Sequence, residues 1–478
     1  MRSSEPTGAS GQDKLPDSPK LCELLEDWVP RQRWFAGKGR ELRGITIIAD
    51  TELHAGDPGL RHVIIGVGHD AAPGSPHDTT VVDRYQLLLG TRAKLPGRLE
   101  YGEIGRVAGL HVYDATHDPE LTRVLLEGIA ADADAGPLRL RAAPGTRIDT
   151  DLVSLASPAE QSNTSLIFGE TYICKFFRRI MPGTNPDLEL NLGLSRVGCE
   201  HVPAVYGWIE MNLDGEPTTL AMLSEFLRTG TDGWRLAATS VRDLYAEADL
   251  HADEVGGDFA SEAGRLGAAT AMVHRDLARA FGVSPLPAED VRSMAERMHG
   301  RLGRTVLVVP ELEPYAVTIA AAFDDLAKWE GPLPVQRVHG DYHLGQVMRT
   351  ERGWMLLDFE GEPLHALADR RAPSHPLRDV AGMLRSFEYA ARHLLAGQSQ
   401  VAPETAEQLE FRAREWADRN RTAFCRGYAE EGGADPAAGE VLLRAFEYDK
   451  AVYEVLYEAR NRPSWLHIPL SSLRHTAI

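Results

Sequence analysis

Residues 336–363 read QRVHGDYHLGQVMRTERGWMLLDFEGEP and set two acidic side chains, Asp341 and Asp358, on either side of a polar Gln346. Val335 to Val338 predicts a short strand, His339 to Gln346 a polar loop, and Gly353-Trp354 a turn. Trp354 to Leu357 then predicts an apolar strand that delivers Asp358 at its end.

A loop aspartate, an amide, a hairpin and a strand-end aspartate form the layout that phosphoryl transfer of the protein-kinase type requires. One carboxylate meets the acceptor hydroxyl, while an amide and a second carboxylate hold Mg²⁺ against the phosphates. On this reading Asp341 is the catalytic base and Gln346 and Asp358 are metal ligands. A lone HGD is also common where the aspartate only caps a turn; DYHLGQ ahead of a hydrophobic strand ending in DFEGEP favours the chemical reading. His339 and His343 have a helical i,i+4 spacing that would suit zinc. Gly340 and Gly345 flank them, however, and the glutamate of an HEXXH motif is missing.

HGDYHLGQV followed by LLDFEGEP resembles the bacterial maltokinases, relatives of the aminoglycoside and choline phosphotransferases within the protein-kinase-like fold. Three further stretches carry the same resemblance: PRQRWFAGKGR from residue 30, QSNTS through NPDLEL from residue 161, and YEARNRPSWL from residue 457. The resemblance implies an α+β, bilobal, protein-kinase-like fold with a β-rich N-terminal cap and lobe and a helical C-terminal lobe. It also implies ATP- and Mg²⁺-dependent phosphorylation of maltose at its anomeric hydroxyl, feeding α-glucan (glycogen) synthesis. Relatives in the same fold phosphorylate glucosamine or other amino sugars, whose ammonium needs a carboxylate; Glu447, Glu454 or Glu458 could supply one. The non-enzymatic alternative is a kinase-like binding module, disfavoured because Lys175, Asp341, Gln346 and Asp358 are all present. The departure from the family is Tyr342, where leucine is usual, next to the catalytic aspartate.

The bulk of the chain agrees with a soluble enzyme. Its 478 residues exceed one ordinary core, and 43% hydrophobic with 25% charged residues is an ordinary globular composition. A net charge of −19 argues against nucleic acid and anionic membranes as partners, and leaves ATP phosphates to local cations. Cys22, Cys174, Cys199 and Cys425 fit no metal spacing and suggest a reduced, cytoplasmic protein. No apolar h-region opens the chain and no run approaches a membrane span. The expected partners are a sugar and ATP, with an α-glucan-pathway enzyme as a further possibility.

Four regions are expected: a disordered tail over 1–18, a cap over 19–110, a nucleotide lobe over 111–227 and a helical lobe over 228–478. Leu21 to Val29 predicts a short amphipathic helix, and residues 45–48, 62–67 and 80–89 predict a small antiparallel sheet. Residues 113–129 predict a helix and ADADAGPLRLRAAPG, from residue 131, a loop. QSNTSLIFGETYICKFF predicts a hairpin in which Ser162, Asn163, Thr164 and Ser165 replace a glycine-rich phosphate loop. Lys175 follows on a strand with apolar neighbours, as a phosphate-pairing lysine does. Asn185-Pro186-Asp187 starts a helix whose Glu189 could pair with Lys175, or simply favour the helix dipole. Met222, Ser224 and Glu225 take the hinge position beside adenine. Asp379 opens a helix and braces the catalytic loop. Near the C-terminus, Tyr453, Glu454, Tyr457, Arg460, Asn461 and Trp465 combine rings with planar polar groups, as sugar sites do, and His343 is added as an acceptor contact.

Overall fold

The computed structural model describes residues 18–70, 80–157, 163–247, 249–362, 366–397 and 402–473. It divides into two compact units, Met1–Asn185 with Ala204–Arg228, and Pro186–Pro203 with Thr229–Ile478.

The first unit opens with helix α1 (Ser18–Trp28), which Pro30 ends in a single 3-10 turn. Strands β1 (Leu42–His54), β2 (Gly59–Asp70), β3 (Thr80–Arg92), β4 (Glu103–Val107) and β5 (Leu110–Asp114) form an antiparallel sheet in the order β1-β2-β3-β5-β4. The apolar run of β2 is continuous because both of its faces are covered. Val63, Ile65 and Val67 pack with Leu21, Leu25, Trp34 and Phe35, while Leu60 and Ile64 pack with Leu121 and Leu125 of helix α2 (Pro119–Ala130). The aromatic pair of PRQRWFAGKGR is therefore structural. Trp34 and Phe35 flank Tyr85, and the buried Arg178 guanidinium lies 5.2 Å over the Trp34 ring.

A second sheet runs in the order β6-β7-β12-β13-β10-β9-β8. Its strands are β6 (Asp134–Ala135), β7 (Leu138–Ala142), β8 (Ser154–Ala156), β9 (Thr164–Phe168), β10 (Tyr172–Phe176), β12 (Val205–Leu213) and β13 (Glu216–Glu225); the short β11 (Arg179–Ile180) pairs β3 instead. Two expectations fail in this unit. The helix expected from residue 113 begins only at Pro119, because 110–114 is held as a strand between β3 and β4 and Asp118 then caps the helix. The expected loop from 131 contains β6 and β7, since Leu138 and Leu140 bury one face of β7 in the core beneath α2.

The second unit is mainly helical: α3 (Pro186–Arg196), α4 (Gly233–Ala246), α5 (Ala260–Phe281), α6 (Ala288–Val308), α7 (Glu313–Ala327), α8 (Leu367–Arg371), α9 (Leu377–Arg392), α10 (Pro403–Glu430), α11 (Glu440–Asn461) and α12 (His467–Leu473). Short strands β14 (Thr231–Asp232), β15 (Val283–Leu286), β16 (Leu333–Gln336), β17 (Val347–Thr350) and β18 (Gly353–Leu356) frame the loop that carries Asp341, β17 and β18 as the expected hairpin. Trp354 and Leu356 of β18 and Phe387 of α9 join the same core, so the hairpin is anchored by burial. No helix among the described residues is long and apolar enough to cross a membrane.

Candidate active site

The loop between β16 and β17 is built on Asp379. From the first turn of α9 its Oδ2 accepts the His339 N–H at 2.7 Å, and its Oδ1 accepts that of Gly340 at 2.9 Å. His274 Nε2 lies 3.1 Å from the same Oδ2, and its Nδ1 lies 2.8 Å from the Tyr428 hydroxyl. Burial works to raise the Asp379 carboxyl, but His274, His339 and the Gly340 amide outweigh it and hold it below the ordinary value. Gly340 adopts φ +86°, a left-handed turn that glycine takes without strain. A Cβ at Gly382 would lie 2.5 Å from the Tyr342 carbonyl, so α9 can approach the loop only with glycine there. Asp379→Ala would leave two loop amides and His274 without their acceptor. Urea unfolding should register a loss of about 3–5 kcal/mol, with a smaller loss in Asp379→Asn, which keeps one acceptor oxygen.

Tyr342 contributes to the wall of a cavity beside Asp341. It is 2% exposed, bonded to the Thr270 hydroxyl at 2.7 Å, and packed 5.2 Å from the His339 ring. The same core keeps His339 from being a metal ligand, since its Nε2 donates to the Leu357 carbonyl at 2.8 Å.

Asp341 faces a small cavity of about 40 Å³ whose walls include Glu362, Asp449, Lys450, Tyr453, Arg301 and Arg378. Lys450 from α11 bridges two of the carboxylates, 3.2 Å from Asp341 Oδ1 and 2.6 Å from Glu362 Oε1, and lies 5.0 Å over the Tyr453 ring. Burial opposes the Lys450 charge, yet Asp341 and Glu362 outweigh it and push its ammonium above the ordinary lysine value. Reciprocally, burial works to raise Asp341, and Lys450, then His343 and His339, bring it below the ordinary carboxylate value. Asp449 accepts from Arg301 at 2.8 Å through one oxygen, its other oxygen is buried without a hydrogen-bond partner, and burial raises its carboxyl.

A wider cleft of about 380 Å³ shares Lys450 and Gly382 with that cavity and is walled by His343, Tyr389, Glu454, Arg462 and Trp465. Arg385 donates to Glu454 Oε2 at 2.9 and 2.6 Å and to Ser472 at 2.7 Å, which fixes the carboxylate at the cleft wall. Burial lowers the His343 imidazole below its ordinary value. Of the sugar-site residues expected from sequence, Tyr453, Glu454, Trp465 and His343 line these two spaces, and Tyr457 stacks on Tyr453 at 6.2 Å. Arg460 and Asn461 are exposed, and the Asn461 amide donates to the Tyr457 carbonyl at 2.9 Å. Arg462, just beyond α11, lines the cleft with its guanidinium 4.4 Å over the Trp465 ring. Glu447 and Glu458 are buried on Arg421 and Arg462 respectively, which leaves Glu454 as the carboxylate of that trio at the cleft.

The Gln346 amide donates to Asp358 Oδ2 at 3.1 Å, so the two side chains lie side by side. Asp358 has φ +62°, a left-handed conformation that aspartate adopts more readily than most non-glycine residues. Asp187, Asp358 and Glu360 each bring a carboxylate oxygen within 4.8 Å of the others. This oxygen-only donor set fits Mg²⁺; Asp187 and Glu360 went unread in the sequence because neither lies in the Asp341–Asp358 spacing. Glu189 is held by Arg337 at 2.8 Å and Arg371 at 2.8 and 3.1 Å, partners that sequence reasoning did not name.

In the first unit Lys175 lies on β10 opposite Ser165 on β9 and Met222 on β13, with its amine 5.7 Å over the Phe177 ring. Ser224 and Glu225 pair with Ile173 and Tyr172 at the end of β13. Ser165 is buried, and the Thr164 hydroxyl accepts from Arg178 at 2.8 Å. Asn163 is partly exposed ahead of β9, and Ser162 lies outside the described residues.

Comparison with known proteins bears on the family and the fold. Residues 28–118 match the maltokinase N-terminal cap domain. A glucosamine kinase of Streptacidiphilus jiangxiensis is 31% identical over 325 residues, covering 66% of this chain and 71% of that protein. A glucosamine kinase of Mycolicibacterium smegmatis is 27% identical over 326 residues, covering 66% and 77%. The solved structure of a glucosamine kinase in complex with glucosamine, ADP and inorganic phosphate superposes with a TM-score of 0.65 at 24% identity, over 97% of this chain and 100% of that one. The α+β protein-kinase-like fold is thereby shown.

Proposed function

Because the chain belongs to the maltokinase and glucosamine kinase family of sugar phosphotransferases, we propose that it transfers the γ-phosphoryl group of ATP to the anomeric hydroxyl of maltose, giving maltose 1-phosphate for α-glucan synthesis. One observation carries the choice of acceptor. Four acids and three cations line the cavity at Asp341: Asp379 is taken up by His274 and two loop amides, and Asp341, Glu362 and Asp449 face Lys450, Arg301 and Arg378, which suits a neutral sugar. The adjoining cleft, with the Trp465 ring and the fixed Glu454 carboxylate, offers the stacking face and hydroxyl partner that a second glucose ring needs.

In this reading Asp341 receives the hydrogen bond of the acceptor hydroxyl, orients its oxygen towards the γ-phosphorus and takes its proton as the O–P bond forms. Lys450 favours the ionised form of Asp341. Lys175 and Asn163 meet the phosphates of ATP, and Met222, Ser224 and Glu225 the adenine. Held by Gln346 and Asp358, Mg²⁺ would neutralise charge on the phosphates.

Phosphorylation at the anomeric oxygen abolishes the reducing end, whereas phosphorylation at any other hydroxyl preserves it. Loss of one reducing end per ADP formed is the expected result with maltose; ADP release with reducing ends intact would refute the anomeric assignment.

Glucosamine is the second reading, favoured by the named relatives and by the buried, unpartnered oxygen of Asp449, which an ammonium or a hydroxyl could meet. It needs an unbalanced carboxylate in the cavity, which the Lys450 bridge removes.

A further inference from the structure

We propose that Arg178, between β10 and β11, is a positioning residue through which the N-terminal cap sets the start of strand β9. The side chain is 1% exposed. Its Nε donates to the Thr164 hydroxyl at 2.8 Å, and its Nη2 donates to Asp114 Oδ2 at 2.7 Å and to the Thr116 hydroxyl at 3.3 Å. Thr164 opens β9 of the second sheet, whereas Asp114 ends β5 and lies with Thr116 inside the matched cap. The cap side of this clamp is itself ordered. Asp114 Oδ1 accepts the Thr116 N–H at 3.1 Å and its hydroxyl at 2.8 Å, while Oδ2 takes Arg178. The guanidinium lies 5.2 Å over the Trp34 ring and 5.6 Å over that of Phe176.

A buried ion pair seldom adds net stability over apolar packing of the same volume. Nor is Arg178 needed to join the two sheets. Gln86 of β3 already donates to the carbonyls of Phe177 and Leu220 at 2.7 and 2.6 Å, and β11 pairs with β3. What Arg178 adds is a fixed place for Thr164. In the β9–β10 register Thr164 stands opposite Phe176, and Ser165 opposite Lys175. Holding Thr164 therefore holds the backbone from which Asn163 leaves and its spacing from Lys175. By this route the cap acts on nucleotide binding through β9.

The inference rests on the reading that Lys175 and Asn163 meet the phosphates, and the test keeps the two apart. ADP with Mg²⁺ is titrated calorimetrically into the full chain, and thermal unfolding is followed on the same samples. Lys175→Met reads the phosphate site: unaltered ADP affinity in that variant would remove the site itself. With that site confirmed, Arg178→Met and Thr164→Val are each expected to weaken ADP about tenfold, the lower end of what a hydrogen bond to a charged group contributes. Asp114→Asn, a change within the cap, should weaken it about threefold or more, as loss of charge from one partner of the clamp does. The double variant Arg178→Met with Thr164→Val should bind no more weakly than the worse single variant, because both changes remove one bond. Losses that add would make Thr164 a phosphate contact independent of Arg178 and overturn the proposal. A lowered melting temperature with native ADP affinity in Arg178→Met would overturn it too, leaving Arg178 a purely structural residue. Should Arg178→Met fail to fold, Thr164→Val and Asp114→Asn decide the matter: native ADP affinity in both counts against the proposal.

Discussion

Asp341→Asn is expected to reduce kcat by about 10²–10⁴-fold, the range for loss of a positioned acid–base group, with ATP binding unaltered. The asparagine keeps the shape and one acceptor oxygen, so the acceptor sugar should still bind, but the amide cannot take the hydroxyl proton. Lys450 and Glu362 would still pair at 2.6 Å, so the cavity should keep its form. Steady-state rates with calorimetric ATP titration check this together. A fall in kcat with unaltered ATP affinity is the expected pattern; full turnover would remove Asp341 from the reaction.

Lys450→Met should produce the second-largest effect and act on two observables at once. Removing the ammonium leaves Asp341 and Glu362 facing one another without their shared cation, and breaking a buried pair in this way is destabilising by about 3–5 kcal/mol, towards the lower end here because the groups remain partly exposed. In the native protein the Asp341 carboxyl sits below its unfolded value, so the pair stabilises above the ordinary Asp value of about 3.9 and loses that contribution as pH falls through the folded value. Without Lys450 the burial that opposes ionisation is no longer outweighed, and the Asp341 carboxyl should titrate higher. The acid limb of kcat/KM should therefore move to higher pH in Lys450→Met, and the stability difference from the native protein should narrow between pH 7 and pH 4. An acid limb that stays in place would mean that Lys450 does not set the charge of Asp341.

Residues 336–363 were legible because their chemistry is local. The loop, the hairpin and Asp358 follow from turn residues and one apolar strand, although the first strand ends at Gln336 rather than Val338 and the turn falls at residues 351–352, with Gly353 and Trp354 already in the second strand of the hairpin. The bracing role of Asp379 was legible for a similar reason, being a first-turn carboxylate ahead of a strongly apolar helix face. Lys450 was not, because it meets Asp341 across 109 residues and looks in sequence like any exposed helical lysine. Arg462 was passed over for Arg460 because α11 stops at Asn461, and only beyond the helix does the backbone turn an arginine onto Trp465. The strands β6 and β7 were hidden by a glycine- and aspartate-rich stretch whose pairing depends on β12, some 65 residues later in the chain.

The most direct measurement is the rate of ADP formation with maltose and with glucosamine, side by side, at saturating ATP and Mg²⁺, with Asp341→Asn as the blank. A charge-balanced acceptor cavity predicts a kcat/KM for maltose at least tenfold above that for glucosamine. A preference for glucosamine would contradict it, and would mean that the Lys450 bridge opens to release a carboxylate for the ammonium group.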